Sequence, residues 1–294
     1  MDILYLADPV FNYGTALLFD GLCEISNVSV IVTPALNRPY VREDITFNVI
    51  SEQEAMENSF DFAVLSNLHD ETVELSMDIK VAMRDLPFVC YFNADDPTMG
   101  IHIIDFLKPH VVFLREYYHN REYPSNCFPL PFSFPHAVKQ SPVDRPIDVL
   151  FSMSSNNLAR IAWLNLIKSH CTGLEVLTRL DDGFDADDWF VLLTQSKIVI
   201  SIRGFGYETS RFYEGISHGA CVISDDTTII RPNPFIHNQH VIYTDESTLV
   251  HDIHRAVNGQ EWIDLSIQGQ LHFMKYHTTV SRANYFLEKV QQFI

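Results

Sequence analysis

The sequence predicts an α/β protein made of two Rossmann-like, doubly wound domains facing a cleft. Three observations predict it. Near-continuous apolar runs of four to six residues recur along the chain, the mark of parallel strands buried on both faces. Helix-period segments separate them, so strand and helix alternate. A stretch with five prolines, Phe128–Pro146, interrupts the pattern, which then restarts. A chain of 294 residues suits two medium domains.

The elements follow in order. Ile3–Ala7 reads as the first strand, and Gly14 opens a helix running through Leu22. Val28–Val32, Phe62–Ser66, Phe88–Phe92 and Val111–Leu114 are further buried strands. Phe128–Pro146 reads as a linker, because proline lacks the N–H that a helix interior or central strand needs. Ile147–Ser152 starts the second domain, followed by a helix from about Asn157 with Leu158, Ile161, Ala162 and Leu164 as its apolar positions. Leu174–Thr178, Lys197–Ile202, Ala220–Ser224 and His240–Thr244 read as strands, and Ala186–Ser196 as a helix. Val280, Ala283, Phe286, Leu287, Val290 and Phe293 form a stripe with spacings of three and four, which predicts a terminal helix. The expected domains are 1–143 and 144–279, with 280–294 packing back on the first. In such sheets ligands gather at the carboxyl ends of the strands.

Bulk properties narrow the function. A formal charge of −18 disfavours DNA, RNA and anionic membranes as partners, whereas a small anion needs only two or three placed arginines. No apolar run approaches the roughly 20 residues of a membrane span. The opening "MDILYLADPVFNYG" reads as a strand, not a signal peptide, and the five cysteines are scattered with no CxxC pair; a cytoplasmic location is expected. The thirteen histidines show no metal-binding spacing, and no Gly-x-Ser-x-Gly elbow accompanies Ser210. The acidic clusters "RLDDGFDADDW" and "SDDTTIIR" read as solvated loops, with binding of a divalent ion through a ligand's diphosphate as the less favoured alternative.

The stretch "SIRGFGYETSRFYEGISHGACVIS" (Ser201–Ser224) joins a strand, a glycine turn and a helix expected over Glu208–His218. Phe212, Gly215, Ile216 and Gly219 fall on one face, where two glycines let the helix sit close on the sheet. Glu208, Arg211, Glu214 and His218 share the adjoining face. Gly204 and Gly206 free the backbone to approach a ligand, and an anion at this helix start meets open N–H groups and a favourable dipole. Arg211 can add a charge-assisted contact, and Glu214, one turn deeper, can accept hydrogen bonds from ribose hydroxyls. On spacing alone, an exposed i, i+3 ion pair explains Arg211 and Glu214 equally well.

The segment Leu192–Asp226 resembles the donor-site segment of GT-B glycosyltransferases, closest to the spore-maturation-type (CgeB-like) and exostosin-type families. The matching positions are Ser196, Lys197, Gly206, Arg211, Glu214, Gly219 and Val222. "IDVLFSMSSNNLAR" (Ile147–Arg160) is similar to the family's first donor-domain strand and loop, "YHTTVSRANYFLEKV" to its C-terminal helix at His277, Thr278 and Arg282, and "CYFNADDP" to its strand-end Asp-Asp. The resemblance implies that Glu214 binds the ribose of a nucleotide sugar and that Arg211 lies near the diphosphate. The donor-binding residues are then Ser154, Arg160, Arg203, Gly204, Gly206, Tyr207, Glu208, Thr209, Ser210, Arg211 and Glu214, with Arg203 as a second phosphate contact. Asn12 and Gly14 belong to the first loop, expected near the acceptor or the phosphates. Asp95, Asp96 and Asp8, at strand ends, are candidate bases for the acceptor hydroxyl.

Two departures stand out. Ala220-Cys221 replaces the usual proline after Gly219, and Gly206 occupies the position eight before Glu214, so the Glu-x7-Glu motif of many retaining members is absent. Inversion and retention both stay open. The expectation is a metal-independent, cofactor-free transferase moving a sugar from a nucleotide-diphosphate sugar, UDP-linked, to an acceptor hydroxyl of a glycan, a small molecule or, less favoured by the charge, a modified nucleic acid. Alternatives are a nucleotide-sugar epimerase or hydrolase of the same fold, and a binding protein without turnover.

Overall fold

The computed structural model describes residues 1–6, 13–30, 45–66, 86–92, 108–135, 137, 144–181, 183–225 and 228–294. The chain splits into two compact units, one of Met1–Pro135, Ile229–Pro232 and Thr279–Ile294, the other of His136–Thr228 and Asn233–Thr278.

Among the described residues the first unit holds a seven-stranded sheet of β1 (Asp2–Leu6), β2 (Asn27–Val30), β3 (Asn48–Val49), β4 (Phe62–Ser66), β5 (Phe88–Phe92), β6 (Val111–Leu114) and β7 (Cys127–Pro129), ordered β3-β2-β1-β4-β5-β6-β7. All its pairings are parallel. Alternate residues feed opposite faces. Tyr5, Val64, Tyr91 and Phe113 meet helix α1 (Tyr13–Ile25) and the chain's last helix, α8 (Thr279–Val290). Leu4, Leu65, Cys90 and Leu114 meet Ala55 of α2 (Glu52–Glu57) on the other face. The predicted stripe on α8 buries Ala283, Phe286, Leu287 and Val290, and Phe286 stacks on Phe113 at 4.5 Å.

The proline-rich stretch does not start as a linker. Cys127–Pro129 is an edge strand, where the missing proline N–H faces away from the ladder. Leu130, Phe132 and Phe134 are buried beyond it, and buried Arg282 points its Nε at the Phe132 carbonyl at 3.5 Å. The aromatic content of this stretch outweighs its prolines.

A Cβ on Gly21 would lie 2.4 Å from the Thr279 carbonyl oxygen, where α1 meets the start of α8. Alanine raises helix propensity by about 1 kcal/mol but cannot displace a backbone atom without cost. Gly21→Ala should therefore destabilise the first unit by about 2 kcal/mol, read as a lower midpoint in urea melts.

The second unit holds a five-stranded parallel sheet ordered β12-β11-β10-β8-β9. Its elements run β8 (Ile147–Met153), α3 (Leu158–His170), β9 (Val176–Leu180), α4 (Ala186–Gln195), β10 (Ser196–Ser201), α5 (Ser210–Ser217), β11 (Cys221–Asp225), β12 (Ile242–Thr244), α6 (Leu249–Asn258) and α7 (Glu261–Tyr276). Val149, Phe151, Ile198, Ile200 and Ile223 pack with Trp163 and Ile167 of α3 and Leu249 and Ile253 of α6. Buried Arg145 ties two helix ends together. Its Nη1 donates to the Leu193 carbonyl at 3.0 Å and to the Ser196 carbonyl, and its Nη2 donates to the His218 carbonyl at 2.8 Å. Burial pushes this guanidinium down to about 10.

The topology positions a ligand site. β8 and β10 are neighbours, but the chain leaves β8 through α3 toward β9 and leaves β10 through α5 toward β11. Right-handed crossovers place α3 and α5 on opposite faces, so a crevice opens above the carboxyl ends of β8 and β10. No helix among the described residues is long and apolar enough to cross a membrane.

Candidate functional site

Two loops flank this crevice: Ser154–Asn157 after β8, and Ile202–Thr209 after β10. Arg160, from the first turn of α3, stitches them together. Its Nη1 donates to the Ser154 carbonyl (3.1 Å), Ser154 Oγ (2.9 Å) and Asn156 Oδ1 (2.8 Å). Its Nε donates to the Arg203 carbonyl and its Nη2 to the Ile202 carbonyl, both at 3.0 Å. Asn157 caps α3 through Oδ1 and donates Nδ2 to the Gly204 carbonyl at 2.7 Å. Burial, and then the nearby Arg211 charge, push the Arg160 guanidinium down to about 10, still a cation at neutral pH. The planar fork is used on the protein itself, so Arg160 shapes the crevice.

The turn after β10 is tight. Gly204 N–H donates to the Gly206 carbonyl at 3.0 Å, and a Cβ on Gly204 would meet Arg160 Nη2 at 3.0 Å. Arg203 is oriented from two sides: its backbone N–H donates to Asp225 Oδ1 (3.1 Å) with Nε 3.5 Å from Oδ2, and Nη1 donates to the Tyr207 hydroxyl (2.9 Å). Its guanidinium lies 5.0 Å from the Tyr207 ring centroid. Arg203 and Asp225, with Ala159, Trp163 and Thr244–Ser247, line a crevice of about 480 Å³ on the α3 and α6 side.

Helix α5 starts at Ser210, two residues later than expected, with Thr209 as its N-cap. The Thr209 hydroxyl pairs with Ser201 Oγ at 2.7 Å and makes no cap bond to the helix. The start of α5 faces the crevice, and a helix start of this kind favours an anion. Glu208 is buried just before the helix, and Ser210 and Arg211 are half-buried in its first turn. Gly215 seats α5 on the sheet as expected: a Cβ there would meet Val222 Cγ2 at 2.9 Å. Gly219 has a different role. At φ 69° it ends the helix, with its own N–H bonded to the Ile216 carbonyl and that of Ala220 to the Gly215 carbonyl.

Glu214 is no member of an exposed surface pair. It is 6% exposed, and its Oε2 accepts the Trp189 indole N–H at 2.8 Å. The Arg211 guanidinium lies 5.3 Å from the same indole. Asn156 was not singled out from the sequence; Asn157 was read only as a helix start, and Trp189 and Asp225 only as parts of acidic clusters. Trp189 sits 25 residues before its partner, in a segment whose acidity reads as solvated loop. Those acids instead cap and brace: Asp185 accepts Asp188 N–H at 2.9 Å, and Asp181 accepts Ser155 N–H at 2.6 Å. That contact holds the Asp181 carboxyl below its usual range.

In the first unit Gly14 lies in the first turn of α1, buried. Asp8, Asn12, Asp95 and Asp96 lie outside the described residues. Arg115 and Glu116, also missed by the sequence reading, follow β6 as a buried pair with Nε 3.7 Å from Oε1. Among the described residues no group of His, Cys, Asp and Glu is placed to hold a metal ion.

This fold is that of the GT-B glycosyltransferases. The chain aligns over 99% of its length with HepE from Anabaena, covering 100% of that chain at TM-score 0.68 and 11% identity, a protein seen with UDP and glucose. A glycosyltransferase from Rickettsia africae aligns over 99% of this chain and 98% of its own, at TM-score 0.67 and 10% identity. An α-glucosyltransferase seen with UDP-glucose and DNA containing an abasic site aligns over 99% of both chains, at 0.64 and 10%. No protein-family model matches the chain, and no curated protein sequence does.

Proposed function

We propose that the protein is a glycosyltransferase that moves a hexosyl group from a UDP-sugar to an acceptor hydroxyl, akin to the CgeB-like and exostosin-like families. One observation carries the reading: at the crevice above β8 and β10, the start of α5, to which the Thr209 side chain makes no cap bond, and Arg211 stand one turn from a buried carboxylate, Glu214. A diphosphate matches the first and a ribose diol the second. The glycine turn 204–207 lets the diphosphate approach the backbone, and Arg203 adds positive charge beside it. Arg211, Arg203 and the dipole of α5 stabilise the departing UDP without a metal ion. Ser154 and Arg160 hold the crevice in shape, while Tyr207, Thr209 and Ser210 form its rim beside buried Glu208.

The second unit, 144–279 in the sequence reading, is then the donor domain, and the first the acceptor domain, with Asp8, Asp95 and Asp96 as candidate bases. The acceptor is a glycan or small molecule, in keeping with the charge of −18.

Calorimetry with UDP tests this. Arg211→Ala and Glu214→Ala should each weaken binding at least tenfold, about 1.4 kcal/mol. Wild-type affinity in both folded variants would remove the site. Incubation with UDP-glucose alone should leave the sugar unepimerised.

A further inference from the structure

We infer that the His240 imidazole is an acid-sensitive latch behind α5: protonation opens the turn that holds Phe235 against the helix, and affinity for the sugar nucleotide falls. The effect on affinity rests on the donor site proposed at the start of α5; the latch itself does not.

The loop between β11 and β12 is closed by one residue used twice. The His240 backbone N–H donates to the Ile236 carbonyl at 2.9 Å, and the Ile236 N–H donates to His240 Nδ1 at 3.1 Å. A ring nitrogen that accepts carries no proton, so this bond selects the neutral imidazole with its hydrogen on Nε2. The ring is buried and lies on His272 of α7, with centroids 4.2 Å apart and planes 19° from parallel. His272 is anchored through Nε2, which donates to the Asn233 carbonyl at 2.9 Å. α7 sits directly on the turn: a Cβ on Gly269 would lie 2.5 Å from the His240 carbonyl oxygen.

Phe235, the residue before the closed turn, carries its position to α5. Its ring centroid is 5.1 Å from that of Phe212 and 6.4 Å from that of Tyr213, and it stacks on His277 at 4.2 Å. Phe212 and Tyr213 stand between Arg211 and Glu214 in the sequence, so a displaced Phe235 disturbs the packing behind both.

Protonation turns Nδ1 from acceptor into donor. Two N–H groups then oppose each other where a hydrogen bond stood, and a positive charge lies against His272. The surroundings do not welcome it. α7 and its cap bring His272, Tyr276 and His277, with Lys275 4.7 Å from the Tyr276 ring centroid. α5 brings Tyr213 behind Phe235, and the loop brings His237. α6 brings Arg255, which reaches Asn238 Oδ1 at 3.0 Å and is held by Asp252 and Glu261. Among the described residues no carboxylate pairs with His240. Burial first, and then His272, hold the His240 imidazole below its ordinary value. The fold thus prefers the neutral ring. Its contribution is complete above about pH 6.5, the unfolded value, and is lost as the pH falls through the lowered folded value. A ligand that needs the closed turn disfavours the proton by the same factor by which the proton disfavours the ligand.

UDP-glucose is the probe, because its diphosphate is esterified at both ends and keeps its charge in mild acid. Calorimetry on the wild type should show affinity falling by about fivefold or more between about pH 7.5 and about pH 5.5. His240→Asn puts an amide oxygen near the Nδ1 position and does not titrate, so its affinity should change by less than about twofold over that range. A variant that follows the wild-type pH dependence, or a wild type that has none, overturns the inference. A wild type that does not bind UDP-glucose at the higher pH takes down the donor site and leaves the latch to hydrogen exchange. That measurement uses wild-type protein without ligand, and it also decides if the variant does not fold. Corrected for the intrinsic pH dependence of exchange, amides of residues 235–241 should lose protection between the same two pH values; protection that stays overturns the latch.

Discussion

Arg160→Ala should destabilise the second unit by about 3 kcal/mol and weaken UDP binding by well over tenfold. The guanidinium makes five hydrogen bonds to two loops, three of them to the backbone carbonyls of Ser154, Ile202 and Arg203. Truncation leaves those acceptors without their charged donor, and buried groups so stranded are costly one by one. The loops after β8 and β10 then keep the Asn157 bond to the Gly204 carbonyl but lose the larger tie, and the helix start and Arg203 lose their fixed spacing. Arg160→Lys separates charge from shape. An ammonium keeps the charge but cannot reach in-plane partners on both sides at once. Lysine should therefore recover little of either loss, as read by urea melts and UDP calorimetry. A lysine variant that binds like the wild type would make Arg160 a source of field, not of geometry.

The strands were legible because both faces of each sheet are covered, so Ile3–Leu6, Phe62–Leu65 and Ile198–Ile200 are apolar without interruption. The helix with Arg211 and Glu214 was legible because its glycine turn, charged pair and small-residue face lie within one short window. What escaped was carried by distance along the chain. Trp189 meets Glu214 across 25 residues and Asp225 meets Arg203 across 22, and no local period marks either. Short β3 offers only two paired residues, too few for any alternation to register. β7 was hidden by prolines that an edge strand tolerates. Gly219 was given a packing role because its spacing fits the helix face; its left-handed backbone shows that it lies past the last turn.

The seat of α5 on its sheet is the second feature with a large expected effect. A Cβ at position 215 would lie 2.9 Å from Val222 Cγ2 and 3.3 Å from Val199 Cβ and Cγ1. For Gly215→Ala two terms oppose each other. The helix gains about 1 kcal/mol of propensity, while one methyl must be absorbed by a valine tip that can shift slightly. The net change should stay within about 1 kcal/mol, and UDP affinity within about threefold. Gly215→Val has no such balance. Its two γ carbons meet β10 and β11 directly and valine's own helix propensity is poor, so a loss of about 3 kcal/mol is expected. The helix can relieve the overlap only by lifting off the sheet, which carries Glu214 away from the Trp189 N–H and moves the α5 start relative to the loop after β8. A shift of about 1 Å at a positioned group is enough to cost a hundredfold in rate, and UDP affinity should fall at least tenfold. Melts and calorimetry on the alanine and valine pair read both effects in one series. Valine-variant binding equal to wild type would show that the crevice tolerates a displaced α5, and that Arg211 and Glu214 do not act from a fixed platform.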